Sequence, residues 1–338
     1  MMLNQVVQEM LPRIEEELRQ VIEATSSPNT PQLSAMLRYH LGWEGEGTGQ
    51  EAQGKRIRPL LVLLSAQAVG GKWEQALPAA AAVELVHNFS LIHDDIQDQS
   101  TLRRGRPTVW VKWGIAQAIN AGDAMFTQAF WALNRLEQTI SSQTALEASR
   151  ILHQVCLRLT EGQYLDLAYE KVDTLPLEAY WPMVGGKTAA LLGGCVELGG
   201  LCSHASPEQR TALREFGENL GLAFQVLDDW LGIWGDAALT GKSTESDLVS
   251  GKKSLPVLYG LANSETFAQR WRRGKITSEE VHDIAGLLQD CGAEAFTLNT
   301  AEELTQKALD ALNRAFEQNR ERSLLLSELA KKLLSRKS

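Results

Sequence analysis

Strand signals are almost absent from this chain, and so are long apolar runs and cysteine spacing of any diagnostic kind. No alternating apolar/polar run carries an Asn-Gly or Asp-Gly turn between apolar partners, which argues against hairpins and sheets. No stretch approaches the ~20 apolar residues that a membrane-spanning helix needs. The four cysteines (Cys156, Cys195, Cys202 and Cys291) have no CxxC spacing and sit in apolar or small-residue runs. They read as buried thiols rather than a disulfide or metal framework. The first residues, MMLNQVVQEMLPRIEEEL, have neither a basic start nor a long apolar centre, so no signal peptide is expected and the location reads as cytoplasmic. An excess of positive charge is also missing. The formal net charge is -9, which argues against a nucleic-acid partner.

Helical periodicity fills the space that strands leave. Val6, Met10, Ile14, Leu18 and Val21/Ile22 recur at helical spacing. Residues 25–34 read as a break and residues 42–54 as a Gly-rich loop. Pro59 at an N1-like position opens a helix, and Pro78 opens another running through LIHDDIQD. Further helices are expected over roughly 113–139, 144–171, 177–202, 207–234, 253–265, 277–290 and 300–335. With no linker and 338 residues, a single all-α domain over 1–338, a helical bundle, fits the pattern.

Two acidic clusters stand out on these helices. Asp94, Asp95 and Asp98 lie in LIHDDIQD, and Asp228 and Asp229 lie in FQVLDDWLGIWGD. Carboxylates four residues apart share a helix face. Two such faces turned toward each other would repel unless cations lay between them. Oxygen ligands without Cys or His suit Mg²⁺ and a phosphorylated substrate. Arg103, Arg104 and Arg106 follow the first cluster, and Lys242, Asp247 and Lys252 follow the second. Guanidiniums beside carboxylates would suit diphosphate held partly by metal and partly by direct contact. Lys55, Arg56 and Arg58, after the Gly-rich loop, form a candidate anion site at a helix start. EGQYLDL places Gln163 and Asp166 on one helix face. GGKTAALLGG sets Lys187 and Thr188 among glycines, without Walker A spacing. Each basic residue alone also reads as an ordinary solvated charge; it is the combination that points to a Mg²⁺-dependent enzyme acting on diphosphates.

In order, GKRIRP, LIHDDIQD with RRGRP, GQYLD, GGKTAAL, and FQVLDDWLGIWGD with TGKSTESDL and KKSLP resemble the trans-isoprenyl diphosphate synthase (polyprenyl synthetase) family over roughly residues 30–260. The resemblance implies an isoprenoid-synthase helical bundle around a central cleft, usually homodimeric. It implies Mg²⁺, three ions per site, on Asp94, Asp98 and Asp228, with Asp95 and Asp229 in support. Arg103, Lys187 and Lys242 would hold an allylic diphosphate, and Lys252 would help close the site. Lys55, Arg58, His87 and Arg104 would hold isopentenyl diphosphate. Thr188 and Gln225 would face the developing allylic cation. His87 precedes Asp94 by two helical turns and so shares its side of the helix. One departure is visible: the family's second motif usually reads DDxxD, and here position 232 is glycine, for which Asp236, a full turn further on, would compensate only indirectly.

Product length is read from the helix before Asp94, where one turn rises about 5.4 Å, close to an extended isoprene unit. Ser90 is small, Phe89 is bulky, and Val86 and Ala82 behind them are modest. This pattern resembles geranylgeranyl-type short-chain synthases, with Phe89 as the floor, or Met125 or Phe126 if the floor lies elsewhere. The alternatives are a farnesyl diphosphate synthase or a terpene cyclase on the same fold. A cyclase has no need of Lys55, Arg58 and Arg104.

Overall fold

Apolar residues at three- and four-residue spacing give helices almost throughout the computed structural model, which describes residues 2–235 and 247–335. The chain gathers into two units, Met1–His153 with Cys195–Arg210, and Gln154–Gly194 with Thr211–Ser338. No helix among the described residues is long and apolar enough to cross a membrane.

The first unit begins with α1 (Leu3–Ala24), α2 (Pro31–His40), α3 (Gln50–Gln53), α4 (Ile57–Val69) and α5 (Leu77–Gln97). A short antiparallel hairpin follows, β1 (Leu102–Arg103) paired with β2 (Arg106–Pro107). Then come α6 (Val109–Trp113), α7 (Ile115–Asn134), α8 (Leu136–Thr139) and the start of α9 (Ser142–Glu170). Helix α5 packs against α1, α4 and α7. Its residues Ala79, Ala80, Ala81 and Ala82 are all buried, and their small side chains let the neighbouring helices close in. At Gly122 of α7 the approach is tighter still: a Cβ there would lie 2.2 Å from His93 Nε2 of α5.

The second unit holds the rest of α9, then α10 (Tyr180–Val184), a π turn over Gly185–Ala189, and most of α12 (Pro207–Trp234) after α11 (Ala190–Cys202). It continues through α13 (Asp247–Ser250), α14 (Leu255–Asn263), α15 (Glu265–Arg272), α16 (Val281–Asp290), α17 (Ala293–Ala315) and α18 (Leu324–Leu334). Tyr180, Met183 and Val184 pack with Ala223, Val226, Leu255 and Leu258 in one cluster. Ile233, Leu248, Val257 and Phe267 belong to another.

Several boundaries differ from the periodicity reading. The break at 25–34 is shorter, because Pro31 opens α2. Helix α4 starts two residues before Pro59, after Arg56 in a left-handed conformation (φ 49°). The run expected over 113–139 is cut at Gly114, whose φ of 83° no helix accommodates. The run over 253–265 stops at Asn263, where Ser264 caps α15 by accepting from Phe267 N at 3.2 Å. The last helical region begins earlier, at Ala293, and is interrupted before Leu324. The hairpin had no strand signal because its turn is Arg104-Gly105, both at positive φ (52° and 72°), in place of an Asn-Gly or Asp-Gly pair.

Gly122 and Gly286 should respond oppositely to alanine. Gly122→Ala forces a Cβ into His93 and should cost about 1–3 kcal/mol. Gly286 sits inside α16 with nothing within 4 Å of its Cβ position, so Gly286→Ala should stabilise by about 0.5–1 kcal/mol. Urea unfolding of both variants checks the pair; equal effects would contradict the packing described.

Candidate active site

Helix α5 delivers the first acidic motif at its C-terminal end. Asp94 is half-buried and Asp98, the C-cap, is exposed; Asp98 N donates to Asp94 O at 2.8 Å. Asp95, about 100° around the axis, turns inward. It is 1% exposed, and its Oδ1 accepts from both Nε and Nη2 of Arg103 at 2.7 Å. Asp95 therefore anchors the hairpin arginine instead of joining the Asp94/Asp98 face.

Arg58, Arg103 and Arg104 bring positive charge to His87, two turns before Asp94 on the same helix. Arg58, in the first turn of α4, has its Nε shut off from solvent with no hydrogen-bond acceptor among the described residues. Burial lowers its pKa from the ordinary value. His87 is held well below the usual histidine range by burial and then by Arg58 and Arg104, so it is neutral at physiological pH. Lys55 is exposed, just before α4. Arg104 extends from the hairpin turn, its Nη1 donating to Ala52 O at 2.9 Å and Gln53 O at 3.0 Å. Gly54 makes room for it, since a Cβ there would fall 2.7 Å from the Arg104 guanidinium carbon.

Two arginines that look equivalent in sequence serve the scaffold. Arg56 is 4% exposed and bonds Glu15 at 2.6 Å and Glu84 at 2.7 Å, which fixes the backbone between Lys55 and Arg58. Arg106 donates to the carbonyls of Tyr39, Glu44 and Glu46, and so ties the Gly-rich loop to the hairpin. His40, which no sequence motif singled out, lies beside these arginines. Burial, followed by Arg104, Arg103, Arg56 and Arg106, pushes its pKa down to about 3. Its Nε2 has no hydrogen-bond partner among the described residues.

The second unit carries the other acidic motif on α12. Asp228 is half-buried, whereas Asp229 is 1% exposed and saturated with donors. Its Oδ2 accepts from Tyr180 Oη at 2.7 Å and Leu255 N at 3.1 Å. Its Oδ1 accepts from Gln225 Nε2 at 3.0 Å and Lys252 Nζ at 3.1 Å. Asp229 thus organises Tyr180, Gln225, Lys252 and the start of α14. Burial and then Asp229 hold the Tyr180 phenol well above its usual pKa. Burial alone would lower the Lys252 ammonium; Asp229, Asp247 and Asp228 outweigh it and raise its pKa.

Lys187 and Thr188 sit in the π turn. Thr188 Oγ1 donates to Gln225 Oε1 at 3.0 Å, and Lys187 pairs with Asp166 of α9. The glycines here are needed for close approach: Cβ atoms at Gly162 and Gly221 would collide with the backbone of Lys187 and Ala189. The wide turn also sets phase. Tyr180 and Thr188 are eight residues apart, about 80° off a common face in an α-helix. A π turn absorbs one residue, so both reach α12. Asp236 and Lys242 lie outside the described residues.

From Phe89, N-terminal to the acidic tip of α5, aromatic rings meet in series, mostly tilted or edge-to-face. Phe89 meets Phe126 at 4.9 Å and His93 at 5.5 Å, Phe126 meets Phe130 at 5.3 Å, and Phe130 stacks on His153 at 4.2 Å. Ser90 Oγ donates to His87 O at 2.8 Å. Met125, Val86 and Ala82 are fully buried.

Among the described residues no three His, Cys, Asp or Glu side chains converge into a finished metal cage. The donors present are carboxylates, the ligands of a hard cation that keeps water and substrate oxygens in its shell. By donor chemistry alone, Asp94 and Asp98 of the first unit suit such a cation, and so does Asp228 of the second.

Carboxylates near helix ends with clustered cations are the equipment of a prenyl-transferring enzyme. The chain belongs to the polyprenyl synthetase family, whose model matches residues 48–290. It is 40% identical over 302 residues to a geranylgeranyl diphosphate synthase of Mycobacterium tuberculosis, covering 87% of this chain and 84% of that one. It is 38% identical over 295 residues to a (2E,6E)-farnesyl diphosphate synthase of Mycobacterium bovis, covering 84% and 81%. The crystal structure of a geranylgeranyl pyrophosphate synthetase from Pyrococcus horikoshii is similar with a TM-score of 0.87 at 34% identity, over 99% of this chain and 98% of that one. The all-α fold class is that of these relatives.

The low pKa of His40 has a consequence for folding. The unfolded chain binds a proton at His40 near pH 6.5, and the folded chain does so only near 3. Stability contributed by this residue is therefore full above about pH 6.5 and is lost as pH falls toward 3, at up to about 1.4 kcal/mol per pH unit. His40→Gln should flatten the decline of urea stability between pH 7 and 5. An unchanged slope would remove His40 from the account.

Proposed function

We propose that this prenyltransferase condenses isopentenyl diphosphate with allylic diphosphates and makes geranylgeranyl diphosphate. The observation that carries the reading is Arg58, whose Nε is buried and unbonded and whose charge acts on His87, in a chain where Asp94 and Asp98 offer hard oxygen ligands. A desolvated, incompletely bonded cation calls for an anion.

In this reading Lys55, Arg58, neutral His87 and Arg104 hold the diphosphate of isopentenyl diphosphate. Arg103, steadied by Asp95, acts with Lys187 and Lys242 on the allylic diphosphate, and Lys187 exchanges its Asp166 partner for it. Magnesium dependence is typical of the family; three ions on Asp94, Asp98 and Asp228 would supply Lewis-acid charge to the leaving diphosphate. The allylic carbon–oxygen bond breaks with its electron pair going to diphosphate. The double bond of isopentenyl diphosphate attacks the allylic carbon to form the new carbon–carbon bond. The surplus proton passes to the released diphosphate, so no protein base is required. Thr188 and Gln225 present oxygen dipoles to the developing positive charge, and Lys252 helps exclude water. The whole of 1–338 acts as one catalytic domain in the cytoplasm and pairs as a homodimer; the exposed Ile115, Ile119 and Trp131 of α7 are suited to such a contact.

Phe89 sets product length. Its ring is backed by Phe126, so growth down α5 would end there. Purified protein incubated with Mg²⁺, isopentenyl diphosphate and dimethylallyl, geranyl or farnesyl diphosphate should yield a C20 diphosphate by mass spectrometry. A C15 end product would make it a farnesyl synthase, and hydrocarbon without use of isopentenyl diphosphate would make it a cyclase. Phe89→Ala should lengthen the product; an unchanged profile moves the floor to α7. Asp94→Ala should lower turnover by orders of magnitude, roughly 10²-fold or more, with helical circular dichroism intact. Near-normal turnover would end the metal-ligand assignment.

A further inference from the structure

Helix α2 ends on His40, which belongs to none of the sequence motifs. We propose that His40 is a further ligand of the isopentenyl diphosphate headgroup, donating from Nε2 to a terminal phosphate oxygen beside Arg104. The inference rests on the reading of Lys55, Arg58, His87 and Arg104 as the isopentenyl diphosphate site, and adds to it a residue from a different helix.

The surroundings of His40 make the argument. Its Nε2 is shut off from solvent and has no hydrogen-bond partner among the described residues. The residue borders a small cavity of about 20 Å³ whose other walls include Ala52, Arg103, Arg104 and Arg106. No carboxylate among the described residues lines it. A space of that size holds one oxygen atom rather than a whole phosphate. The arginines around it already have acceptors of their own. Arg103 Nε and Nη2 reach Asp95, and the three guanidinium nitrogens of Arg106 reach carbonyls. Arg104 Nη1 also reaches only carbonyls, those of Ala52 and Gln53. Positive walls and an unbonded imidazole call for an oxyanion. A neutral imidazole has one N–H, and an anion selects the tautomer that carries it on Nε2.

The ring is also fixed in place. Tyr39, beside it in the chain, donates from Oη to Pro107 O at 2.8 Å, and its carbonyl accepts from Arg106 Nη1 at 2.8 Å. Both partners lie in β2, directly after the turn that bears Arg104. Burial lowers the pKa of both His40 and His87; among the charges that add to it, Arg104 acts on each ring and His40 acts on His87. The two imidazoles thus approach the same group of cations, one from α2 and one from α5.

Steady-state kinetics of the full chain with Mg²⁺, geranyl diphosphate and isopentenyl diphosphate test this. His40→Leu removes the N–H and should raise the KM for isopentenyl diphosphate about ten-fold or more, with kcat and the KM for geranyl diphosphate within about two-fold of the parent. The unliganded His40→Leu protein should resist urea at least as well as the parent at about pH 8, since it no longer buries an unbonded imidazole. His40→Gln, whose amide nitrogen can stand where Nε2 does, should recover the KM to within about three-fold; His40→Asn, which reproduces Nδ1, should not. The inference is overturned if His40→Leu leaves the KM for isopentenyl diphosphate unchanged while Arg58→Gln raises it. It is equally overturned if both KM values rise together, or if urea resistance falls with binding and Gln rescues no better than Asn, the result of a scaffold role. If Arg58→Gln also leaves that KM unchanged, the reading of the isopentenyl diphosphate site falls, and the inference with it.

Discussion

A charge removed from water must find its replacement partners in the protein, and this requirement orders the chain more than any other. Asp229 gathers a phenol from α10, an amide from its own helix, and an ammonium and a backbone N–H from residues 252–255. Arg56 gathers two glutamates, and Arg106 gathers three carbonyls. Each is a junction at which loops that apolar packing would leave undetermined acquire a single arrangement. Breaking one partner strands the others in low dielectric, so these junctions fix geometry even where their net stabilisation is small. Arg58 breaks this pattern, because its Nε is buried without an acceptor.

The same requirement divides the two aspartate pairs. In each, the second member is 1% exposed and grips a basic residue further along the chain, Arg103 for Asp95 and Lys252 for Asp229. The first member, Asp94 or Asp228, is only half-buried. Adjacent residues on a helix point about 100° apart, so one carboxylate can serve the scaffold while its neighbour stays accessible to ligand. The repeated pairing thus combines a chemical group and its support in two consecutive positions.

The helix content and the location of the acidic and basic motifs were legible because they depend on local spacing. Helix α12 matches its expected span, and Lys55, His87, Asp94 and Thr188 fall on the predicted elements. Residue chemistry alone does not separate Arg56 from Arg58, or Arg106 from Arg104; only the family resemblance singled out Arg58 and Arg104. Their side chains are chemically identical, and only the tertiary neighbours decide which is consumed by the scaffold. Asp95 and Asp229 were assigned with the metal ligands on motif alone, whereas burial on the inner face directs them to hydrogen-bond donors. Tyr180 and His40 carry no motif, and their roles arise from contacts distant in sequence. The cut at Gly114 was visible in principle as a glycine inside a helical run, but its positive φ was not.

The π turn at Gly185–Ala189 has a meaning for chain length as well as for geometry. Because it takes up one residue, the eight-residue interval from Tyr180 to Thr188 turns the helix almost as seven residues of α-helix would, within about 20° of two whole turns. A relative lacking one residue in this interval could run as plain α-helix and still present both side chains to α12. A relative with one residue more would have no such remedy. By this geometry the segment accommodates the loss of one residue more readily than the gain of one.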